Sequence, residues 1–153
     1  MRTALDHSLI LFISLVFVLM SCEKDNNETK VSQHNGDSSH KSGEDCMGCH
    51  TSGGSGEGIF TVAGTVYDLD QLNPYPNATV RIYTGPNATG DLVKTIEVDG
   101  KGNFYTTEFM DFEGGMYTSI TGTSGSVEHM ITTVSSGRCN SCHNVQADRI
   151  WVK

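Results

Sequence analysis

Two short cysteine motifs carry most of the chemistry that this sequence could perform. They read Cys46-Met47-Gly48-Cys49-His50 and Cys139-Asn140-Ser141-Cys142-His143, two copies of C-x-x-C-H that use four of the five cysteines. Two thiols at this spacing can form thioethers with both vinyl groups of one porphyrin, and the next histidine is then held beside the iron. The motifs therefore predict two covalently bound haem c groups. Their predicted binding residues are Cys46, Cys49 and His50, and Cys139, Cys142 and His143.

The same cysteines allow three other arrangements. They could form one Cys₄ zinc site, two disulfides in an oxidising compartment, or two thiol–disulfide redox pairs. A zinc site leaves both histidines unexplained, and no thioredoxin-like βαβ pattern surrounds either motif. Haem attachment is the interpretation that uses every residue type of the motif.

Both motifs resemble the attachment sequences of c-type cytochromes, over ten residues in two blocks. This resemblance implies electron transfer, haem attachment outside the cytoplasm, and two haems per chain. It implies His50 and His143 as the proximal iron ligands.

Haem iron in an electron carrier normally takes a second axial ligand, commonly histidine or methionine. His40, six residues before the first motif, and His129, ten residues before the second, are the predicted distal ligands. On a strand, Val127, His129 and Ile131 would share one apolar face. The alternatives are a solvated linker residue for His40 and a partly buried strand histidine for His129. Ligation by two histidines would close both irons to substrate, which favours an electron carrier over an enzyme.

The other histidine and methionine side chains are weaker candidates. His34 lies deeper in a polar segment and is expected to be solvated. Met47 lies inside the attachment loop. Met110, Met116 and Met130 are expected to fill the core of a β domain rather than to bind iron.

The N-terminal segment predicts export. Residues 9–20 are almost all hydrophobic, too few to span a bilayer but suited to a secretory signal. The run ends at Leu19-Met20-Ser21-Cys22, which resembles the lipobox of bacterial lipoproteins. That resemblance implies cleavage before Cys22 and a membrane-anchoring lipid on it, in the bacterial cell envelope. Because Glu23 rather than Asp follows, it favours the outer membrane or cell surface. The alternatives are an ordinary signal with a stray cysteine, or an uncleaved anchor.

Charge and composition limit the partners of the chain. The 18 acidic and 10 basic residues give a net charge of −8, which excludes a nucleic-acid binder and a polybasic membrane module. An acidic surface instead favours basic redox partner proteins of the cell envelope.

The residues between the motifs predict a mainly β fold. Short runs separated by turn signals predict strands near 60–67, 78–83, 93–98, 104–107, 117–121 and 127–134. The amino-acid sequence of residues 64–68, 76–80 and 99–105 is similar to that of carboxypeptidase-regulatory-like, prealbumin-type domains. This similarity implies a Greek-key β-sandwich without intrinsic catalysis.

The predicted organisation has five parts. They are a signal peptide at 1–21, a disordered tether at 22–45, an attachment segment with a glycine-rich spacer at 46–58, the sandwich at 59–134, and a second attachment segment with the tail at 135–153. An odd strand count would place the two haems at opposite poles, and an even count would bring them together. In the tail, Ile150 and Trp151 could pack on the second porphyrin and Arg149 could pair with a propionate. Alternatively, the tail is a final edge strand.

The leading interpretation is an exported, lipid-anchored di-haem c-type cytochrome that transfers electrons. The alternatives are a β-sandwich surface-binding module with secondary haems, a subunit of a homo-oligomer or filament, and a small haem enzyme with an open iron position.

Overall fold

The computed structural model describes residues 28–153, so the predicted signal peptide and Cys22 lie outside the described residues. Within 28–153, no helix is long and apolar enough to cross a membrane. The strands are β1 (Val62–Tyr67), β2 (Thr79–Gly85), β3 (Thr89–Glu97), β4 (Asn103–Thr106), β5 (Tyr117–Thr121), β6 (Val127–His129), β7 (Gly137–Arg138) and β8 (Ile150–Trp151). Two 3₁₀ turns, Cys46–Gly48 and Cys139–Ser141, complete the elements.

The strands form two four-stranded sheets, so the prediction of a mainly β fold is confirmed. In the first sheet, β1 pairs antiparallel with β4 and parallel with the short strands β7 and β8. The second sheet is antiparallel throughout, in the order β3-β2-β5-β6.

Both sheets contribute side chains to one hydrophobic core. The strand β2 shows why: buried Val80 and Ile82 alternate with the half-buried Arg81 and Tyr83, the pattern of a strand with one covered face. The core residues are Val62, Val66 and Phe104 from the first sheet, Val80, Ile82, Ile96 and Ile120 from the second, and Ala78, Val98, Met110 and Val152 from the connections and the tail.

All six predicted strands are present. The structure differs from the prediction in the length of the last of them and in two further short strands near the C-terminus. The last predicted strand is short, because β6 stops at His129 and Val134 makes only an isolated bridge to Met116. The strands β7 and β8 have two residues each, too few to produce a recognisable alternation in sequence.

Residues 28–45 are not the free linker that their polar composition predicts. Val31 bridges to Thr106, and the backbone N–H of Ser32 donates to the Tyr105 carbonyl at 3.0 Å. The Ser32 side chain is buried and donates to the Glu97 carbonyl at 2.6 Å. This segment is held by hydrogen bonds to the edge of β4 rather than by apolar burial, which is why its composition gave no sign of order.

Candidate functional site

The two C-x-x-C-H motifs adopt the same local structure. Each begins with a 3₁₀ turn, and the N–H groups of the second cysteine and of the histidine donate to the carbonyl of the first cysteine. The N···O distances are 3.2 and 3.0 Å in the first motif and 3.2 and 3.1 Å in the second. One tight turn therefore carries two thiols and an imidazole in each motif.

The two motif histidines are oriented in the same way. His50 Nδ1 lies 2.8 Å from the Glu57 carbonyl oxygen, and His143 Nδ1 lies 2.5 Å from that of Asp148. Because a carbonyl oxygen can only accept, each Nδ1 carries the proton and the neutral ring has its lone pair at Nε2. This is the tautomer and the outer hydrogen bond found on histidines that bind metals through Nε2.

The first cavity has a volume of about 460 Å³ and is lined by Cys46, Cys49, His50 and His40. The His40 and His50 ring centroids are 5.8 Å apart. Two imidazoles on opposite sides of one metal ion, at metal–nitrogen distances of about 2 Å, would have centroids roughly 6 Å apart. The predicted distal ligand of the first site therefore lies at a suitable distance from its proximal partner.

An aromatic stack fixes the His50 ring. Phe60 is 8% exposed and lies parallel to His50, with centroids 4.0 Å apart and an interplanar angle of 5°. Tyr105 stacks on the far side of Phe60 at 4.8 Å. On another side, a Cβ at Gly56 would lie 2.7 Å from the imidazole, so only glycine leaves room for the ring. Phe60 and Gly56 thus restrict the orientation of the His50 ring.

The second cavity has a volume of about 560 Å³ and contains the second motif and His129. Side chains from both sheets form its apolar wall, including Phe104, Ile120, Ile150 and Trp151. Gly64 allows the motif to approach β1, since a Cβ there would lie 2.5 Å from Phe104 and 3.0 Å from Cys139 Cβ.

His129 does not lie on a buried apolar face. Val127 is 45% exposed and Ile131 89% exposed, because β6 is an edge strand and these residues lie on its outer side. His129 is itself exposed and lines the second cavity where the strand ends. His34 lies outside both cavities and contacts the Ala78 carbonyl through Nε2 at 3.0 Å.

The tail forms the edge strand of one interpretation and lies beside the second cavity. Ile150 and Trp151 form β8, the edge-strand alternative, and their side chains also line the second cavity. Arg149 lines this cavity as well, and its guanidinium lies 4.5 Å from the Tyr67 ring centroid while Nη1 donates to the Gln71 carbonyl at 2.7 Å. Pairing of Arg149 with a propionate stays a prediction.

The two motifs lie side by side at one place in the fold. Arg138 Nε donates to Asp45 Oδ2 at 2.6 Å, and these residues directly precede the two motifs. The buried Asn140 side chain donates to the Glu44 carbonyl at 2.8 Å, and its Oδ1 accepts from Thr65 N–H at 3.1 Å. We call Asp45, Arg138 and Asn140 the clasp. Seven strands, β1 to β7, lie between the two motifs in the described chain, an odd count that would place the two sites at opposite poles. This prediction is wrong, because the parity rule assumes antiparallel strands throughout and β7 pairs parallel with β1.

Burial distinguishes the first cysteine of each motif from the second. Burial raises the pKa of the Cys46 thiol, and it raises that of Cys139 to about 12. Cys49 and Cys142 are exposed, and none of the four cysteines in the described residues is disulfide-bonded. Within 28–153, no three His, Cys, Asp or Glu side chains are arranged to hold a metal ion by themselves.

Several site residues could not be found from the sequence. The opposite charges of Asp45 and Arg138 before the two motifs are visible in the sequence, but nothing there pairs positions 93 residues apart. The stacking of Phe60 and Tyr105 on His50 depends on the pairing of β1 with β4. The Nδ1 acceptors are backbone carbonyls, which no sequence pattern identifies.

Comparisons with known proteins add no relative. The chain matches no protein-family model, no curated protein and no solved structure at a significant level.

Proposed function

We propose that this chain is an electron-transfer protein that carries two covalently attached haem c groups, one in each cavity. The observation that carries the proposal is the repeated arrangement of the two motifs: each motif histidine is held through Nδ1 by a carbonyl, inside a cavity that a second histidine also lines. Haem iron, when bound, supplies reversible one-electron redox chemistry. The chain itself would supply the attachment thiols and the axial ligands.

The cavities are suited to this cofactor in size and chemistry. Both volumes lie within the roughly 300–1,000 Å³ range of cofactor sites. The second cavity has an apolar wall, whereas the first combines Phe60 and Tyr105 with mostly polar and charged side chains. His50 and His143 would be the proximal ligands and His40 the distal ligand of the first site. At the second site, His129 and Met130 from the end of β6 are the two candidates for the distal position.

The clasp supports electron exchange within one molecule. Hydrogen bonds from Arg138 and Asn140 to residues 44 and 45 join the segments that carry the motifs. Two sites fixed in this way have a constant separation, which a flexible linker would not provide. In this proposal the two sheets form a Greek-key sandwich that serves as a scaffold for the pair of sites.

The location of the protein is part of the proposal. Export by the signal at 1–21, followed by lipid attachment at Cys22, would place the domain at the outer membrane or cell surface. There, the net charge of −8 would favour basic redox partners. A Cys22→Ala variant should release the protein from the membrane fraction, whereas a variant that stays with the membrane contradicts the lipid anchor.

The proposal is tested by expressing the chain together with a cytochrome c maturation system. We expect the intact mass to contain two haems, and the absorption spectrum to show low-spin iron. A Cys46→Ala/Cys49→Ala variant and a Cys139→Ala/Cys142→Ala variant should each lose one haem. A haem-free chain with zinc or disulfides on these cysteines would overturn the proposal. High-spin five-coordinate iron would favour the enzyme alternative, and sedimentation as a polymer would favour the filament alternative.

A further inference from the structure

The register of β6 separates the two candidate ligands of the second site. Ile120 on β5 lies opposite Glu128, and Ser119 lies opposite His129. The N–H of Met130 donates to the Thr118 carbonyl at 2.9 Å, which continues this register by one residue. Residues directly opposite each other share a face, and successive residues alternate between faces. Met130 therefore lies on the same face as Ile120, and His129 lies on the other.

The face that contains Ile120 is the inner one. Ile120 is buried and belongs to the hydrophobic core. Exposure alternates as this register requires, since Glu128 and Met130 are half-buried while Val127, His129 and Ile131 are exposed. Thr118, Ile120, Glu128 and Met130 line the second cavity from this inner face. His129 lies on the opposite face of the strand, although it also lines the cavity at the end of β6.

We propose that Met130, rather than His129, is the distal ligand of the second iron. The inference rests on the proposed function and concerns only one of its two sites. A thioether is neutral, so it can lie in an apolar cavity without a charge to solvate, and it is a recognised axial ligand of haem iron. Its three rotatable bonds allow the sulfur to adjust its position within the cavity.

The other methionines of the described chain do not compete for this role. Met110 and Met116 pack with the hydrophobic core, and neither lines the second cavity. Met47 lies inside the first motif and lines neither cavity. Among the methionines of residues 28–153, Met130 alone lines a cavity that contains a motif histidine.

The consequence is a pair of unequal sites. The first would have two nitrogen ligands, His40 and His50, and the second would have one nitrogen and one sulfur, from His143 and Met130. Methionine ligation raises the reduction potential relative to two histidines. The second site would then hold the electron in preference to the first, so electron transfer within the molecule would run from the first site to the second.

The test compares Met130→Leu with His129→Gln in the full chain and in the Cys46→Ala/Cys49→Ala background, where only the second site bears haem. Leucine nearly preserves the volume of methionine but removes the sulfur. We expect the parent to show the long-wavelength sulfur-to-iron charge-transfer absorption, Met130→Leu to lose it, and His129→Gln to keep it. Met130→His should restore low-spin iron at a lower potential. The control is Met116→Leu, which should leave both the absorption and the potential unchanged.

Other outcomes would overturn the inference. A haem-bearing parent without the sulfur signature would exclude Met130. If Met130→Leu leaves spectrum and potential unchanged while His129→Gln changes them, His129 is the ligand; in both cases the proposed function stands. Insensitivity to both substitutions would place the ligand elsewhere and would also contradict the inference. A parent without any attached haem would contradict the proposed function itself, and this inference with it.

Discussion

Arg138 Nε donates a hydrogen bond to Asp45 Oδ2 at 2.6 Å, across 93 positions of sequence. Each residue immediately precedes one of the C-x-x-C-H motifs, and the hydrogen bond to Asp45 raises the pKa of the Arg138 guanidinium. The ion pair therefore fixes the starting points of the two 3₁₀ turns relative to each other. The geometry of the pair of sites depends on contacts between the motifs as well as within them.

Removing this ion pair should weaken the contact between the two motifs in a salt-dependent way. We expect Asp45→Ala and Arg138→Ala each to lower the Tm slightly, and the double variant to lower it by less than the sum of the two. The reason is that each single change already removes the interaction. Salt screens an exposed pair, so the coupling should shrink at high ionic strength. Additive effects of the two changes, unaffected by salt, would show that the pair contributes nothing.

Asn140→Ala should have a larger effect on stability. Asn140 is 3% exposed, and its side chain satisfies the Thr65 N–H and the Glu44 carbonyl. Leaving buried polar groups without partners costs about 1–3 kcal/mol each. We expect a loss of about 2–4 kcal/mol in the free energy of unfolding, measured by urea denaturation. The control is Asn73→Ala, an exposed asparagine whose side chain donates to Asp68 Oδ2 at 3.0 Å. Equal losses for the two variants would argue against a buried clasp.

The four motif thiols should react at different rates in the folded protein before haem attachment. Burial raises the pKa of Cys139 to about 12, so it stays a neutral thiol, which is a poor nucleophile, at pH 8. We expect iodoacetamide to modify the exposed Cys49 and Cys142 first and Cys139 last, as followed by peptide mass spectrometry. In urea all four should react at similar rates. Early labelling of Cys139 in the folded chain would contradict its burial.

The same thiol should make stability depend on pH. The folded-state pKa of Cys139 lies above its reference value of 9.0. The folded chain therefore keeps a proton that the unfolded chain releases, and the contribution is complete below pH 9. Stability should decrease as the pH rises from about 9 towards 12, measured as the urea midpoint of the haem-free chain. Cys139→Ala should flatten this decrease relative to the parent, and an unchanged slope would assign it to other groups.

Phe60→Ala should lower stability and also release the His50 ring. Phe60 is buried and stacked between His50 and Tyr105, so truncation should cost about 3 kcal/mol. In the haem-bearing protein we expect altered electron paramagnetic resonance of the first site, because the imidazole orientation is no longer fixed. Phe109→Ala is the control, since Phe109 is 86% exposed. An unchanged resonance signal after Phe60→Ala would show that the stack does not orient the ligand.

His40→Ala should change the first site alone. In the Cys139→Ala/Cys142→Ala background, we expect the remaining haem to lose its low-spin spectrum, because His40, whose ring centroid lies 5.8 Å from that of His50, is the proposed distal ligand. The comparison is His34→Ala: this histidine is close in sequence but contacts the Ala78 carbonyl outside both cavities. Loss of the low-spin spectrum in His34→Ala but not in His40→Ala would identify His34 as the distal ligand instead.

Prediction from the sequence succeeded where the signal was local. The strands appear because residues such as Val80 and Ile82 alternate with polar neighbours. His40 and His129 each line the cavity of the nearby motif, but the buried apolar face expected around His129 is absent. Met130 was expected to fill the core but lines the second cavity instead, since the β5–β6 register determines which face it occupies. Adjacency of the motifs also escaped prediction, because it depends on hydrogen bonds between segments that are distant in sequence.

The ordered conformation of residues 28–45 affects how copies of this protein could associate. An unpaired sheet edge is a template for another strand, and Val31 and Ser32 occupy the edge of β4 through backbone contacts with Thr106 and Tyr105. The chain thus shields part of its own first sheet against lateral addition of a second copy. Strand-to-strand growth through this part of β4 would first have to displace the segment. Among the described residues, the second sheet ends at β3 and β6, where such growth could begin without displacing this segment.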